Sequence, residues 1–539
     1  MDILTGKKIF CVMDLSRSPI IIVAVLIWIL ALTFYLRLCS FGQYIDADVG
    51  NVGYLAWRMY EGEILIDLEG PGKPPLYFML YSLFIHLFGF APFGLKVFGA
   101  SFVLLSVLAV YWVAKETYGS GIGLLSALLF GVFSSAPMVE GGTVNLETVM
   151  HLPYVLTIGL IIKGSVSGRK RWYFLAGLCA ALSILIKQVA GVLFIVFLFN
   201  IVREWLRERH LPFQRYVLLG GGTLLPVLGM IIFFYLNGYT LNELYDSMLG
   251  SNFRYMQRGY EYTSFFTRFF VSMKFILPEN GLLWVGTLFA FAHIGLRIFK
   301  GNGRTGDHLL LWWAFLSFAI LWISGTFFLH YFLQIIASFS ILTAYAIVTS
   351  WRLLRLRSDF IRSISQGAWV VILLVLIFIF IRTDYRYFFS YTPEEQTVFQ
   401  HKILGGYGVY NVAMQKIASY IRARTNSSET IYVWGIAPQV YFLAQRKAAT
   451  RYRNNYNMSQ FATDNPSAAL KAYAPIVMEE IKRSPPAYIV QIFPLERFRE
   501  LHTFVQDHYT IDPDMTFFFP PHRIHLYQRR HTIQKKPDS

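Results

Sequence analysis

Apolar residues in this chain come in long unbroken runs, not in the one-sided stripes of a soluble helix. The first extends from Ile20 to Leu36. A bilayer core about 30 Å thick needs about 20 such residues to be crossed as a helix. The pattern predicts about eleven membrane helices. They fall at 19–37, 95–114, 121–138, 147–163, 172–186, 188–202, 214–236, 281–299, 308–324, 331–349 and 366–383. Leu76–Phe88 is apolar too, but short, and it follows Pro74-Pro75. Counting it as a span would reverse every later loop, so it reads as an interfacial or re-entrant helix. After Arg382 the pattern changes. Helical stretches near 411–424 and 466–483 alternate with strand-like runs at Thr430–Trp434, Ala487–Ile492 and Arg523–Tyr527. The expected fold is a polytopic α-helical membrane protein with interfacial helices in its first outer loop. A small α/β domain follows. The expected domains are 1–383, in the membrane, and 384–539, outside it.

Charge sets the orientation. The chain carries a formal net charge of +16. Its basic clusters fall in alternate loops: Lys163 with Arg169 to Arg171, Arg203 to Arg215, Lys300 with Arg304, and Arg352 to Arg362. With the N-terminus inside, all of them face the cytoplasm, as the positive-inside rule requires. That explains the excess charge without nucleic acid, for which no base-reading motif is present. The segments left outside are roughly 38–94, 237–280 and everything after 384. Composition agrees: 55% of residues are hydrophobic and 15% charged, against about 25% charged in a typical soluble domain. Cys11, Cys39 and Cys179 form no C-x-x-C pair, so neither a disulfide framework nor a zinc ribbon is implied. No small-residue cleavage site follows the first apolar run, which reads as a retained span in a cell inner membrane.

The first outer loop holds the densest candidate chemistry. Asp46 and Asp48 lie just past the first span, and Arg58, Asp67 and Lys73 follow. Two carboxylates at i and i+2 could bind a divalent cation, or one could act as a general base. An isolated pair of this kind is more often two solvated loop acids. Lys73 before Pro74-Pro75 has its own bland reading, a snorkelling lysine at a helix start. The stretch 237–280 carries Arg254, Arg258 and the tyrosines 245, 255, 260 and 262. It is either an aromatic belt or a cover over a phosphate and sugar. His330 at a helix end lacks a second ligand at metal spacing. The polar C-terminal part shows no phosphate loop and no nucleophile triad order.

Taken as one string these residues are far more specific. Asp48, Ala56, Met59, Gly62, Asp67 and Lys73-Pro74-Pro75-Leu76 stand in order after the first span. Asn145-Leu146-Glu147 follows the third span, Gly177 precedes Lys187, and His330-Tyr331-Phe332 opens a late helix. The series resembles bacterial GT-C-type glycosyltransferases, the family of protein O-mannosyltransferases and lipid A aminoarabinose transferases. Two positions depart from it: Val49, where many members have Glu, and Gly72, where the aminoarabinose enzymes have Glu. A metal site of that kind is therefore not implied.

The resemblance implies a sugar donor joined to a polyprenyl phosphate and transfer with inversion to a glycan, lipid or protein hydroxyl. Asp48 would take the hydroxyl proton, with Asp46 as its substitute. Lys73, Arg58, Lys187, Arg254 and Arg258 would hold the departing phosphate. Asp67, Glu140, Glu147, His330 and Tyr331 would position sugar or acceptor. The resemblance implies no definite cofactor, and a divalent metal is compatible with the acids. The rival reading is a transporter or flippase of lipid-linked sugar. That would place charges along a path through the bundle, whereas here they gather in outer loops.

Overall fold

The structure is a computed structural model. It describes residues 18–64, 66, 72–91, 93–208, 213–253, 265–354, 359–404, 409–453, 455, 468–519 and 522–530. Helix α1 (Pro19–Leu38) is the first apolar run, and α2 (Ala47–Tyr60) and α3 (Leu76–Phe88) lie in the loop that follows. The bundle continues with α4 (Gly94–Tyr118), α5 (Ser120–Phe133), α6 (Leu146–Ser167), α7 (Arg171–Ile186), α8 (Val192–Glu208) and α9 (Phe213–Leu236). It closes with α10 (Phe265–Phe299), α11 (Asp307–Ala319), α12 (Leu333–Leu354) and α13 (Asp359–Phe389).

Among the described residues, seven helices are long and apolar enough to cross a membrane. The expected spans at 121–138, 172–186, 308–324 and 366–383 correspond to shorter apolar helices, so length and composition support seven of the eleven expected spans. Large apolar side chains such as Ile27, Leu198, Leu228, Leu288 and Phe378 are exposed on the bundle's flanks. That is the surface of a protein whose surroundings are lipid. The chain is a multi-pass membrane protein.

Two boundaries differ from the expected ones. The loop expected at 237–280 ends early, because α10 starts at Phe265 and continues through Pro278 to Phe299. Arg268, Lys274 and Glu279 interrupt the apolar run without interrupting the helix. The helix expected to end at 383 carries on to Phe389.

Small residues let α7 and α9 touch backbone to backbone. A Cβ on Gly177 would meet the Leu219 carbonyl at 2.1 Å, and one on Gly222 the Phe174 carbonyl at 2.2 Å. Close approach of this kind is how membrane helices gain packing energy without a hydrophobic effect between them.

The C-terminal α/β part follows, through α14 (Pro393–Leu404) and α15 (Val409–Arg424). It contains β1 (Thr430–Trp434), α16 (Gln439–Ala444), β2 (Lys447–Ala448), α17 (Ala468–Arg483), β3 (Tyr488–Gln491), α18 (Arg499–His508), β4 (Tyr509–Phe519) and β5 (His522–Arg529). The sheet order is β2-β1-β3-β5-β4. The two β1 pairings are parallel and the two β5 pairings antiparallel. Strand β4 is absent from the sequence reading, since Asp512, Pro513 and Asp514 interrupt its pattern. It lies at the sheet edge, with a register shift between Ile511 and Thr516, the place where a proline costs no ladder bond.

This sheet domain sits on α2. Tyr54 packs on Tyr441 at 5.4 Å between ring centres, and Phe90 on Phe442 at 5.5 Å. The Ala448 amide donates to the Tyr54 hydroxyl at 3.0 Å.

Candidate active site

The site begins with a helix cap. Asp46 is the N-cap of α2, and its Oδ1 accepts from the Val49 amide at 2.8 Å. That use of a side chain satisfies an amide the helix would leave unbonded. Asp48 stands in the first turn, and its Oδ1 lies 3.0 Å from the Lys73 ammonium. The two aspartates of the D-x-D string are thus divided between a structural and an exposed position. Asp48 is 52% exposed and Lys73 17%.

Their environments push them apart. Burial, then the charge of Asp48, drives the Asp46 carboxyl up to about 6. Partial desolvation by the surrounding protein would raise Asp48 too, half-exposed though its side chain is, but Lys73, His330 and Lys187 outweigh it and hold that carboxyl below its ordinary value. Asp48 is ionised at neutral pH and faces three cationic or protonatable groups.

The loop between α5 and α6 supplies the second wall. Arg37 at the end of α1 donates to the Gly141 carbonyl and, at 2.8 Å, to that of Ser134. Lys96 on α4 donates to the Gly142 carbonyl at 3.0 Å. Glu279 on α10 accepts from the Met138 amide at 3.0 Å. Three buried ionisable side chains from three helices clamp this loop, and Glu140 within it adopts φ 53°. A non-glycine residue in that region is strained and points to a constraint on its side chain. Its Oε1 is 3.0 Å from His330 Nδ1, and Asn145 Nδ2 donates to its Oε2 at 3.4 Å.

Asn145 is the N-cap of α6, and Glu147, 1% exposed, stands in the first turn. Glu147 is ion-paired to Lys187, which occupies the extended turn after α7. The Lys187 ammonium lies 4.4 Å from the centre of the Tyr331 ring. A cation held over an aromatic face and against a carboxylate is an oriented cation.

A third contact ties the lysines together. The Gly72 amide donates to Ser251 Oγ at 2.9 Å, and Asn252 and Gln188 donate to the Gly72 carbonyl at 2.9 and 3.2 Å. Gln188 also donates to the Met248 carbonyl at 2.6 Å. The residues preceding Lys73 and following Lys187 are thereby fixed to one segment, 247–252.

Asp46, Asp48, Lys73, Glu140, Glu147, Lys187, His330 and Tyr331 therefore share one site. Arg58 does not join them: it stands at the far end of α2, buried and ion-paired to Glu61 and Glu63, with its guanidinium over Trp57. Its neighbours, not a ligand, account for its charge. Asp67, Arg254, Arg258, Tyr255, Tyr260 and Tyr262 lie outside the described residues, and Tyr245 is an exposed aromatic. Among the described residues no group of three or more His, Cys, Asp or Glu could hold a metal ion.

Sequence reasoning missed Arg37, Lys96 and Glu279. Each is a charge in or beside an apolar helix, and such charges face a protein partner. That signal was available at all three positions.

The chain gathers these acids and lysines around α2, the helix on which the small α/β domain sits. Over 94% of this chain and 97% of the other, it is similar to the crystal structure of ArnT from Cupriavidus metallidurans bound to undecaprenyl phosphate, with TM-score 0.58 and 14% identity. The oligosaccharyltransferase of Archaeoglobus fulgidus matches with TM-score 0.52 and 13% identity, over 88% of this chain and 70% of that one. In sequence, residues 72–232 match the family model of dolichyl-phosphate-mannose-protein mannosyltransferases. No curated protein sequence is significantly similar to the chain. The resemblance to GT-C glycosyltransferases read from the motifs therefore holds in fold, and in sequence over the stretch that carries Lys73, Glu140, Glu147 and Lys187.

Proposed function

We propose that this protein transfers a sugar from a polyprenyl-phosphate donor to an acceptor hydroxyl, at the outer face of a cell inner membrane. One observation carries the reading: Lys73 and Lys187 converge beside Asp48 at the mouth of a lipid-facing bundle. A phosphate leaving group needs fixed cations where its charge develops. Lys73 and Lys187 supply them, each oriented in the free protein by the carboxylate it would share with the ligand. The ArnT of similar fold is bound to undecaprenyl phosphate, which supports a lipid phosphate here.

The acceptor oxygen attacks the anomeric carbon as the bond to the phosphate oxygen breaks, with inversion as the family resemblance implies. Asp48 takes the hydroxyl proton. When the donor phosphate draws Lys73 toward itself, Asp48 loses the charge that lowers its affinity for a proton and becomes a better base. Residues 384–539 lie outside the membrane in this reading, and the sheet domain, docked on α2, faces the acceptor.

Mass spectrometry of cell-envelope glycans tests it. Deleting the gene should remove one sugar from an envelope component, and the wild-type gene should restore it. Lys73→Ala should be inserted at normal level and fail to restore it. Full restoration by that variant would remove Lys73 from the site. An unchanged envelope after deletion would overturn the activity.

A further inference from the structure

Glu140 and His330 form a pair that the transfer scheme above leaves unused. Glu140 is held in a strained backbone conformation by a loop clamped from three helices. Its carboxylate accepts from His330 Nδ1 at 3.0 Å. The imidazole is fixed on two further sides: Phe328 lies nearly parallel to it, at 5.9 Å and 6°, and Tyr331 meets it edge-on at 4.7 Å. A carboxylate at Nδ1 sets the tautomer and leaves Nε2 as the reactive edge. Among the described residues nothing bonds Nε2. The charged groups that face the ring are Glu140 from the clamped loop, Glu147 from α6, Lys187 from the turn after α7 and Asp48 from α2. His330 therefore faces the lysines and the acid already assigned to the transfer.

The charge balance of that transfer calls for a second proton carrier. The donor phosphate is a diester with one negative charge. When the sugar–oxygen bond breaks, its electron pair stays on the phosphate, which becomes a monoester with two. Asp48 meanwhile has gained the acceptor's proton. A phosphate monoester and an imidazole hold a proton with about equal strength, near pH 6 to 6.5. A transfer between such matched groups is the efficient case for acid catalysis.

We propose that His330, oriented by Glu140, is the catalytic acid that delivers a proton from Nε2 to the departing polyprenyl phosphate. The carbon–oxygen bond to phosphate breaks, the phosphate oxygen takes the pair and then the Nε2 proton, and neutral His330 remains bonded to Glu140. The proton on Asp48 returns to His330 through solvent. In total the acceptor's proton ends on the phosphate and the sugar on the acceptor oxygen. Glu140 is a positioning residue. The inference rests on the polyprenyl-phosphate reading.

The test uses the full chain in nanodiscs and undecaprenyl phosphate as the probe, so neither the sugar nor the acceptor needs to be known. Wild-type protein should bind it. His330→Gln, folded and inserted, should bind about tenfold more weakly, the loss of one charge-assisted hydrogen bond. Glu140→Ala should lose as much, and Glu140→Gln, which can still accept from Nδ1, should recover most of it. The ³¹P resonance of the bound phosphate reports its protonation, and its titration should differ between wild type and His330→Gln. Equal affinity and an equal titration in those two proteins would overturn the role of His330. Equal binding by Glu140→Ala and wild type would overturn that of Glu140. Failure of the wild-type protein to bind undecaprenyl phosphate would instead overturn the donor reading.

Discussion

Asp46 and Asp48 are two residues apart and have different work. Asp46 caps α2 through the Val49 amide, and Asp48 faces Lys73. Asparagine caps a helix about as well as aspartate, so Asp46→Asn should keep the fold and most of the turnover. Asp48→Asn cannot accept a proton and should lose about 10²-fold or more in turnover, the lower end of general-base contributions. The reverse ranking in a transfer assay would make Asp46 the base. Asp46 also carries a stability signature. Its carboxyl, pushed up to about 6 by burial and by Asp48, is harder to ionise in the fold than in the unfolded chain. Its contribution is full below the ordinary carboxylate range and is lost as pH rises through about 6. A thermal melt of Asp46→Asn should lack that decline. The sequence singled out both residues and ranked Asp48 ahead of Asp46 by resemblance, but gave no sign that Asp46 caps the helix. Their division of work depends on which side chain the α2 backbone turns inward, which a D-x-D string leaves open.

Among the elements, the helices were the legible part, because a bilayer demands long apolar runs and leaves little else to read. The junctions were less so. Gly72, which departs from the glutamate of the aminoarabinose enzymes, has a reason that only packing reveals. A Cβ there would meet the Ser247 carbonyl carbon at 2.6 Å and its oxygen at 1.6 Å. The position is occupied by segment 247–252, which bonds both backbone groups of Gly72 and reaches Gln188 beside Lys187. Gly72→Ala should displace that segment and loosen both lysines. The expected result is normal insertion and faster proteolysis of the 241–253 stretch, with turnover reduced about tenfold or more; a 1 Å misplacement can cost up to about 10²-fold. Unchanged proteolysis and turnover would show that the contact is not needed. Arg58 was misplaced for the related reason: a basic residue in the right loop looks like a phosphate ligand until its partners, Glu61 and Glu63, are seen.

At the scale of the whole molecule, the loops between helices carry the orientation. In the proposed orientation, which the positive-inside rule favours, the N-terminus of α1 lies in the cytoplasm and the end of α13 outside. A reporter that is active only in the cytoplasm, fused after Ser390, should be silent; a bright fusion would invert the protein and move the proposed site to the wrong face. The same scale explains why the α/β domain shows no catalytic motif of its own. It lies against α2, with Lys447 on Glu63 at 3.0 Å and Arg453 on the Ile66 carbonyl at 3.1 Å. It thus buttresses the helix that presents Asp48.

The sequence alone determined the membrane class, the small sheet domain, and most of the charged residues that the fold gathers around Asp48 and Lys187. Hydrocarbon length and the aversion of charge to lipid act on the chain locally, so they can be read locally. Tertiary structure alone decided which charges are paired with one another. Arg37, Lys96 and Glu279 come from three helices to shape one loop, and Glu140 meets His330 across 190 positions. The energy of such pairs depends on distance in space and on burial, and neither is written in the order of the residues.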